Sequence, residues 1–153
     1  MSVNHAKSVR AERLRSAEAM GIDSDFIDGL VERFYGKVRD DELLGPIFAA
    51  RIANWPVHLA RMKAFWRSVL YQSGEFSGNP MLKHIAIPGI ESAEFEHWLA
   101  LFNQTLLEIE RDEAASKLIG SRARMIADSL LTGIRIHRDG RRDIKAMKGL
   151  TDA

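Results

Sequence analysis

The chain has no cysteine among its 153 residues. That removes disulfides, thiol catalysis, iron–sulfur clusters and any cofactor held through a thiolate or thioether. No run of about 18 apolar residues occurs, so no segment is expected to span a bilayer as a helix. Charge of one sign is also lacking. The formal net charge is +1, which gives no case for nucleic acid as a partner. There is no GxxxxGK, GxGxxG, GxSxG or HExxH pattern, so phosphate-cradle, dinucleotide, serine-hydrolase and zincin readings fall away. Proline is scarce, with four residues, each near a segment boundary. Alternating β-branched runs are missing as well, so the chain reads as all-α.

What is present is ordinary globular material, 46% hydrophobic and 28% charged, and the length suits one domain. The first core helix is predicted from Ser24 to about Arg39. Asp23 is its N-cap, and Ile22 and Ile27 are spaced as a staple. Phe26, Leu30, Val31, Phe34 and Val38 form its apolar stripe, with Tyr35 beside it. Gly45-Pro46 is expected to break the chain, with Ile47-Phe48 as a buried corner. A second helix is predicted from Pro56 to about Tyr71, with His58, Met62, Phe65, Trp66 and Val69 on one face. Residues 72–79 read as a loop. A short helix from Pro80 to about Ile85 carries His84 and ends at Pro88-Gly89. Two long helices follow. One runs from Ser92 to about Glu110, striped by Phe95, Trp98, Leu99, Phe102, Leu106 and Ile109. The other runs from Glu113 to Ile136, lined by Leu118, Ile119, Met125, Ile126, Leu130 and Ile134.

Three regions are expected: a polar N-terminal extension over 1–21, a core domain over 22–136, and a basic tail over 137–153. The extension carries Lys7, Arg10, Arg13 and Arg15 and lacks the apolar centre of a secretory signal, so it reads as a surface helix. A cytoplasmic location is the matching expectation. The tail, beginning Arg138-Asp139-Gly140-Arg141-Arg142, lacks apolar periodicity and reads as a mobile end.

Each chemistry-bearing residue has a plain structural alternative. Glu94-x-x-His97 is half of a di-iron pattern, but no second pair exists and both residues lie off the apolar stripe. Five scattered histidines without cysteine do not make a structural zinc site. His5, His97 and His137 are read as solvated. His84 is either a satisfied histidine or the single imidazole that a haem iron requires. His58 is either half in water at a helix start or a gate over a ligand. Tyr35 and Trp98 are core aromatics by default, yet a buried O–H or N–H wants a partner. Met62, Phe65, Trp66 and Met125 are core by default and would also serve as walls of a slot.

The ordered series of these segments carries more than any one of them. Phe34-Tyr35, Lys37-Val38-Arg39, Leu44-Gly45-Pro46-Ile47-Phe48, Trp55-Pro56-Val57-His58 and Phe65-Trp66 are followed by Asn79-Pro80 and Leu82-Lys83-His84. Pro88, Trp98-Leu99-Ala100-Leu101-Phe102 and Arg122-Ala123-Arg124-Met125-Ile126-Ala127 complete it. In this the chain resembles the truncated haemoglobins, most closely their third group, over about Phe26 to Ile134. The absence of Gly-Gly pairs before the first core helix and before His84 fits that group.

The resemblance implies a two-over-two helical sandwich around haem b, with His84 as proximal iron ligand. It implies Tyr35 and Trp98 as distal donors to a bound ligand, and His58 at the distal entrance. Phe48, Met62, Phe65, Trp66, Ile90 and Trp98 are the expected haem contacts. Partners for the haem propionates are not legible: Arg61 and Lys83 read as ordinary surface charges.

The leading functional expectation is tight, reversible binding of dioxygen, CO or NO. A donor-rich distal side slows release and suits bulk oxygen transport poorly. The alternative is a nitric oxide dioxygenase or peroxidase-like enzyme, which needs a separate reductase because the chain has no flavin or nicotinamide fingerprint. A helical interaction module without haem is the third reading. If His58 swings out when protonated, ligand association should accelerate as pH falls through about 6.5.

Overall fold

The structure is a computed structural model. It describes residues 2–71, 73–74, 76, 83–84 and 86–151, with side chains described between 7 and 140. The helices are α1 (Ser2–Ala19), α2 (Ser24–Asp40), α3 (Leu44–Arg51), α4 (Trp55–Tyr71), α5 (Ser92–Glu108) and α6 (Glu113–Thr151). Among the described residues there is no strand.

The entry into α2 shows how closely local sequence sets the chain path. Gly21 adopts φ +80°, a left-handed conformation that a side chain would strain. There the Ile22 N–H reaches the Ala17 carbonyl at 2.8 Å and the Gly21 N–H reaches Glu18 at 2.9 Å. That pairing closes α1 in a Schellman motif. Asp23 then caps α2, its carboxylate accepting the Phe26 N–H at 2.8 Å. Ile22 and Ile27 are both fully buried, so the staple forms as expected.

The Gly45-Pro46 break does not occur where expected. The turn falls at residues 41–43, and Gly45-Pro46 opens α3. Proline is tolerated in a first turn because N–H groups there lack intrahelical acceptors. Gly45 is required for another reason: a Cβ on it would lie 2.9 Å from the Arg39 carbonyl oxygen. Ile47 and Phe48 are half-buried against the core.

Helix α2 packs on α4, on α5 and on α3, while α5 packs on α6 and α1 on α4. The result is two layers of paired helices, α2 with α4 and α5 with α6. Their shared core centres on Phe34, Phe102, Leu30, Ile119, Val31 and Val38, all fully buried. Burying a side chain such as Phe34 contributes about 2–3 kcal/mol. Tyr71 anchors α4 through its hydroxyl, which donates to the Ile22 carbonyl at 2.9 Å.

Two expectations for the last helix fail. Met125 is 56% exposed, and Ala115, Ile119, Ala123, Ala127 and Ile134 form the buried face. Ala115, Ala123 and Ala127 take buried positions on this face, and Met125 lies on the exposed side. The tail is helical, since α6 runs on to Thr151. No proline interrupts it, and Arg138 reaches back to the Glu91 carboxylate and the Ile90 carbonyl. The N-terminal extension is the expected surface helix, packed on α4.

Candidate functional site

Three helices bring the polar candidates together. Phe34 and Tyr35 are neighbours on α2, so they point about 100° apart. Phe34 fills the core, and Tyr35, 6% exposed, faces α3 and α4. Asn54 caps the start of α4, its side chain accepting the Val57 N–H at 3.2 Å and its carbonyl the His58 N–H at 3.1 Å. The cap holds His58 in the first turn, where its ring is walled by aromatics. Ring centroids lie 5.0 Å from Tyr35, 5.6 Å from Trp55 and 6.5 Å from Phe48. Outside this box the Arg39 guanidinium lies 4.6 Å over the Trp55 ring.

His58 is more enclosed than expected. Its Nε2 is buried and has no hydrogen-bond partner among the described residues. Burial, aided by the positive charges of Arg61 and Lys83, lowers its pKa from 6.5 to about 4. A protonation step near 6.5 is therefore corrected: the ring is neutral throughout the physiological range. The same interaction puts the Lys83-His84 turn within electrostatic reach of His58. Burial likewise pushes the Tyr35 phenol pKa up, so Tyr35 remains a neutral donor.

Trp98 is half-buried on α5. It stacks on Phe102 with centroids 5.3 Å apart and meets the edge of Phe34 at 5.3 Å. Phe34 also touches Tyr35 at 5.0 Å, so one ring separates the two expected donors. Neither the Tyr35 hydroxyl nor the Trp98 indole N–H bonds to another described residue.

The expected wall residues divide. Phe48, Met62 and Phe65 are half-buried. Trp66 is 4% exposed and turns into the main core, stacked on Phe102 at 5.2 Å. Ile90 is 8% exposed. His84 is half-buried in a helical turn, and the Ile87 N–H bonds to its carbonyl at 3.1 Å. The rest of the expected short helix, 80–82 and 85, lies outside the described residues. Arg51 donates to the Ala86 carbonyl at 3.0 Å and so ties α3 to the turn after His84.

The di-iron motif has other employment. Glu94 closes a capping box with Glu91 at the start of α5, and His97 bonds to Asp41 at 2.7 Å. His97 is thus paired, not simply solvated as expected. Among the described residues no three His, Asp or Glu side chains gather as a metal site. The sequence reading also missed Phe76, whose ring covers Phe65 at 5.1 Å. Asp41 also accepts the Leu44 N–H at 2.9 Å, a local contact whose three-residue spacing is legible in the sequence.

A haem fits these residues on two observations. The half-buried stripe of Met62, Phe65 and Val69 on α4 supplies an apolar wall. The unpartnered His58 Nε2 beside the Tyr35 ring supplies a polar face for a small ligand.

A two-over-two helical sandwich with this polar cluster defines a globin: the chain matches the bacterial-like globin family over residues 17–130 and belongs to it. Within that family it is a group III truncated haemoglobin. It is 39% identical over 110 residues to the group 3 truncated hemoglobin ctb of Campylobacter jejuni, covering 69% of this chain and 86% of that one. The crystal structure of group III truncated hemoglobin from Campylobacter jejuni superposes with a TM-score of 0.69 at 37% identity. That match covers 74% of this chain and 91% of the other. Membership implies haem and the binding of small gaseous ligands. No helix among the described residues is long and apolar enough to cross a membrane.

Proposed function

We propose that this protein binds dioxygen and related diatomic ligands tightly at haem b, with His84 as the single proximal iron ligand. Haem supplies an iron with one open position for such a ligand. Tyr35 is the first donor to that ligand and Trp98 the second. His58 closes the distal entrance in its neutral form. Phe48, Met62, Phe65 and Ile90 form the apolar walls, with Trp66 backing them from the core.

The observation that carries this reading is the Tyr35–His58 pair. The His58 Nε2, buried beside the Tyr35 phenol and without a hydrogen-bond partner among the described residues, is costly unless a polar ligand visits it. Each donor to a polarised ligand contributes about 1 kcal/mol or more, a factor of about five to ten in release. Two such donors favour slow release and suit sequestration or sensing better than bulk transport.

Absorption spectra of the purified protein in ferric, ferrous and carbonyl forms test the proposal. A Soret band in all three, with a five-coordinate ferrous form that takes up CO, is expected. The absence of a Soret band, or a ferrous spectrum with two histidine ligands, would overturn it.

A further inference from the structure

Asp41 joins three elements through one carboxylate. Its backbone N–H closes α2 on the Val38 carbonyl. Its Oδ2 accepts the N–H groups of Leu43 at 3.0 Å and Leu44 at 2.9 Å, which starts α3. Its Oδ1 lies 2.7 Å from His97 Nε2 on α5. Burial works against the charge, but the His97, Leu44 and Leu43 hydrogen bonds outweigh it and hold the Asp41 pKa below the usual value. The group is an acceptor-only carboxylate at neutral pH, so the proton lies on His97 Nε2. A short hydrogen bond to an ionised acceptor is among the stronger ones available.

Both helices tied by Asp41 border the distal cluster. Helix α3 carries Phe48, whose ring packs on Tyr35 at 5.8 Å and on His58 at 6.5 Å. Helix α5 carries Trp98 directly after His97, about 100° further round the helix. The Trp98 stack on Phe102 and its edge contact with Phe34 are apolar and carry no donor–acceptor direction. The bond from His97 to Asp41 is directional and adds a fixed polar point one residue before Trp98.

We infer that the Asp41–His97 hydrogen bond positions the Trp98 indole, by fixing the roll of α5 against the corner between α2 and α3. His97 is a positioning residue: it touches no ligand and acts through its neighbour. The inference rests on the proposed distal role of Trp98 for its functional consequence, but not for its structural one.

The test uses His97→Ala, His97→Asn and His97→Gln in the haem-loaded protein. Asn places its amide where Nδ1 stood and falls short of Asp41, while Gln reaches the position of Nε2. Two readouts are taken. The first is the Trp98 indole N–H resonance in the ferrous carbonyl form, assigned by its loss in Trp98→Phe. The second is the rate of dioxygen release relative to CO release. In the Ala and Asn variants the indole resonance should shift or double, and dioxygen release should accelerate about three- to tenfold, with CO release changing less than about twofold. Gln should restore both. An unmoved Trp98 resonance in the Ala and Asn variants, even with a lowered Tm, would overturn the inference, as would Gln behaving like Ala. A shifted resonance with unchanged dioxygen release in both His97→Ala and Trp98→Phe would uphold the positioning and refute the donor role of Trp98 instead.

Discussion

The Tyr35 and His58 rings meet edge to face, 90° apart in plane with centroids 5.0 Å apart. This contact draws a histidine from the first turn of α4 inward, against a phenol on α2. It sets His58 beside Tyr35 while leaving its Nε2 without a hydrogen-bond partner among the described residues.

Replacing Tyr35 by Phe keeps the ring and removes the donor. Dioxygen release should then accelerate by about five- to tenfold, and CO release should change much less, because bound dioxygen carries more negative charge. Stopped-flow dissociation of both gases measures this. Equal acceleration for both would indicate that the phenol acts by bulk.

His84→Ala should lose most of its haem, read as Soret absorbance per chain, and added imidazole should partly restore it. Full occupancy with an unchanged ferrous carbonyl spectrum would assign the proximal ligand elsewhere.

The depressed His58 pKa makes a stability prediction with a definite sign. Between about 4 in the folded chain and about 6.5 unfolded, the unfolded state binds the extra proton. Stability therefore falls as pH drops through that window, by at most about 3 kcal/mol. His58→Leu should lack this loss, so urea denaturation at pH 7 and pH 4.5 should show a smaller difference in the variant. If His58 gates access by swinging out when protonated, the acceleration of ligand association lies near pH 4 and not near 6.5. An unchanged pH profile in His58→Leu for both stability and association would remove His58 from either role.

Asp23→Ala should cost about 1 kcal/mol through the lost cap, or about 3 °C in Tm. The Phe26 N–H, against an opposing burial effect and with help from Arg111, lowers the Asp23 pKa. Its contribution is present above the ordinary aspartate value and is lost as acid protonates it. Wild type and variant should thus converge in Tm at low pH.

Residues on opposite faces of α6 should respond by very different amounts. Met125→Gln, at an exposed site, should change stability by less than about 0.5 kcal/mol. Ile119→Ala, at a fully buried one, should cost about 2–5 kcal/mol. Urea titration of both variants distinguishes the observed face from one built on Met125.

Local chemistry made much of this protein legible in the sequence. The Asp23 cap with its Ile22–Ile27 staple, the stripe from Phe26 to Val38 and the helix opening at Trp55-Pro56 depend on residues within a turn or two of each other. Periodicity and capping read such features directly. The same holds for the helical starts at Ser24, Ser92 and Glu113.

The rest was decided by partners far apart in the chain. Which side of α6 is buried is set by its packing on α5, which buries Ala115, Ala123 and Ala127 and leaves Met125 exposed, whereas apolar periodicity alone favoured Met125. The basic tail continues α6 to Thr151, and its first arginine, Arg138, pairs with Glu91 from 47 residues earlier. His97 reads as a solvated histidine until Asp41, 56 residues away, comes within 2.7 Å. The proton affinity of His58 is likewise invisible in Trp55-Pro56-Val57-His58. It follows from burial under Tyr35, Phe48 and Trp55 and from the charges of Arg61 and Lys83, and desolvation is a property of the assembled fold.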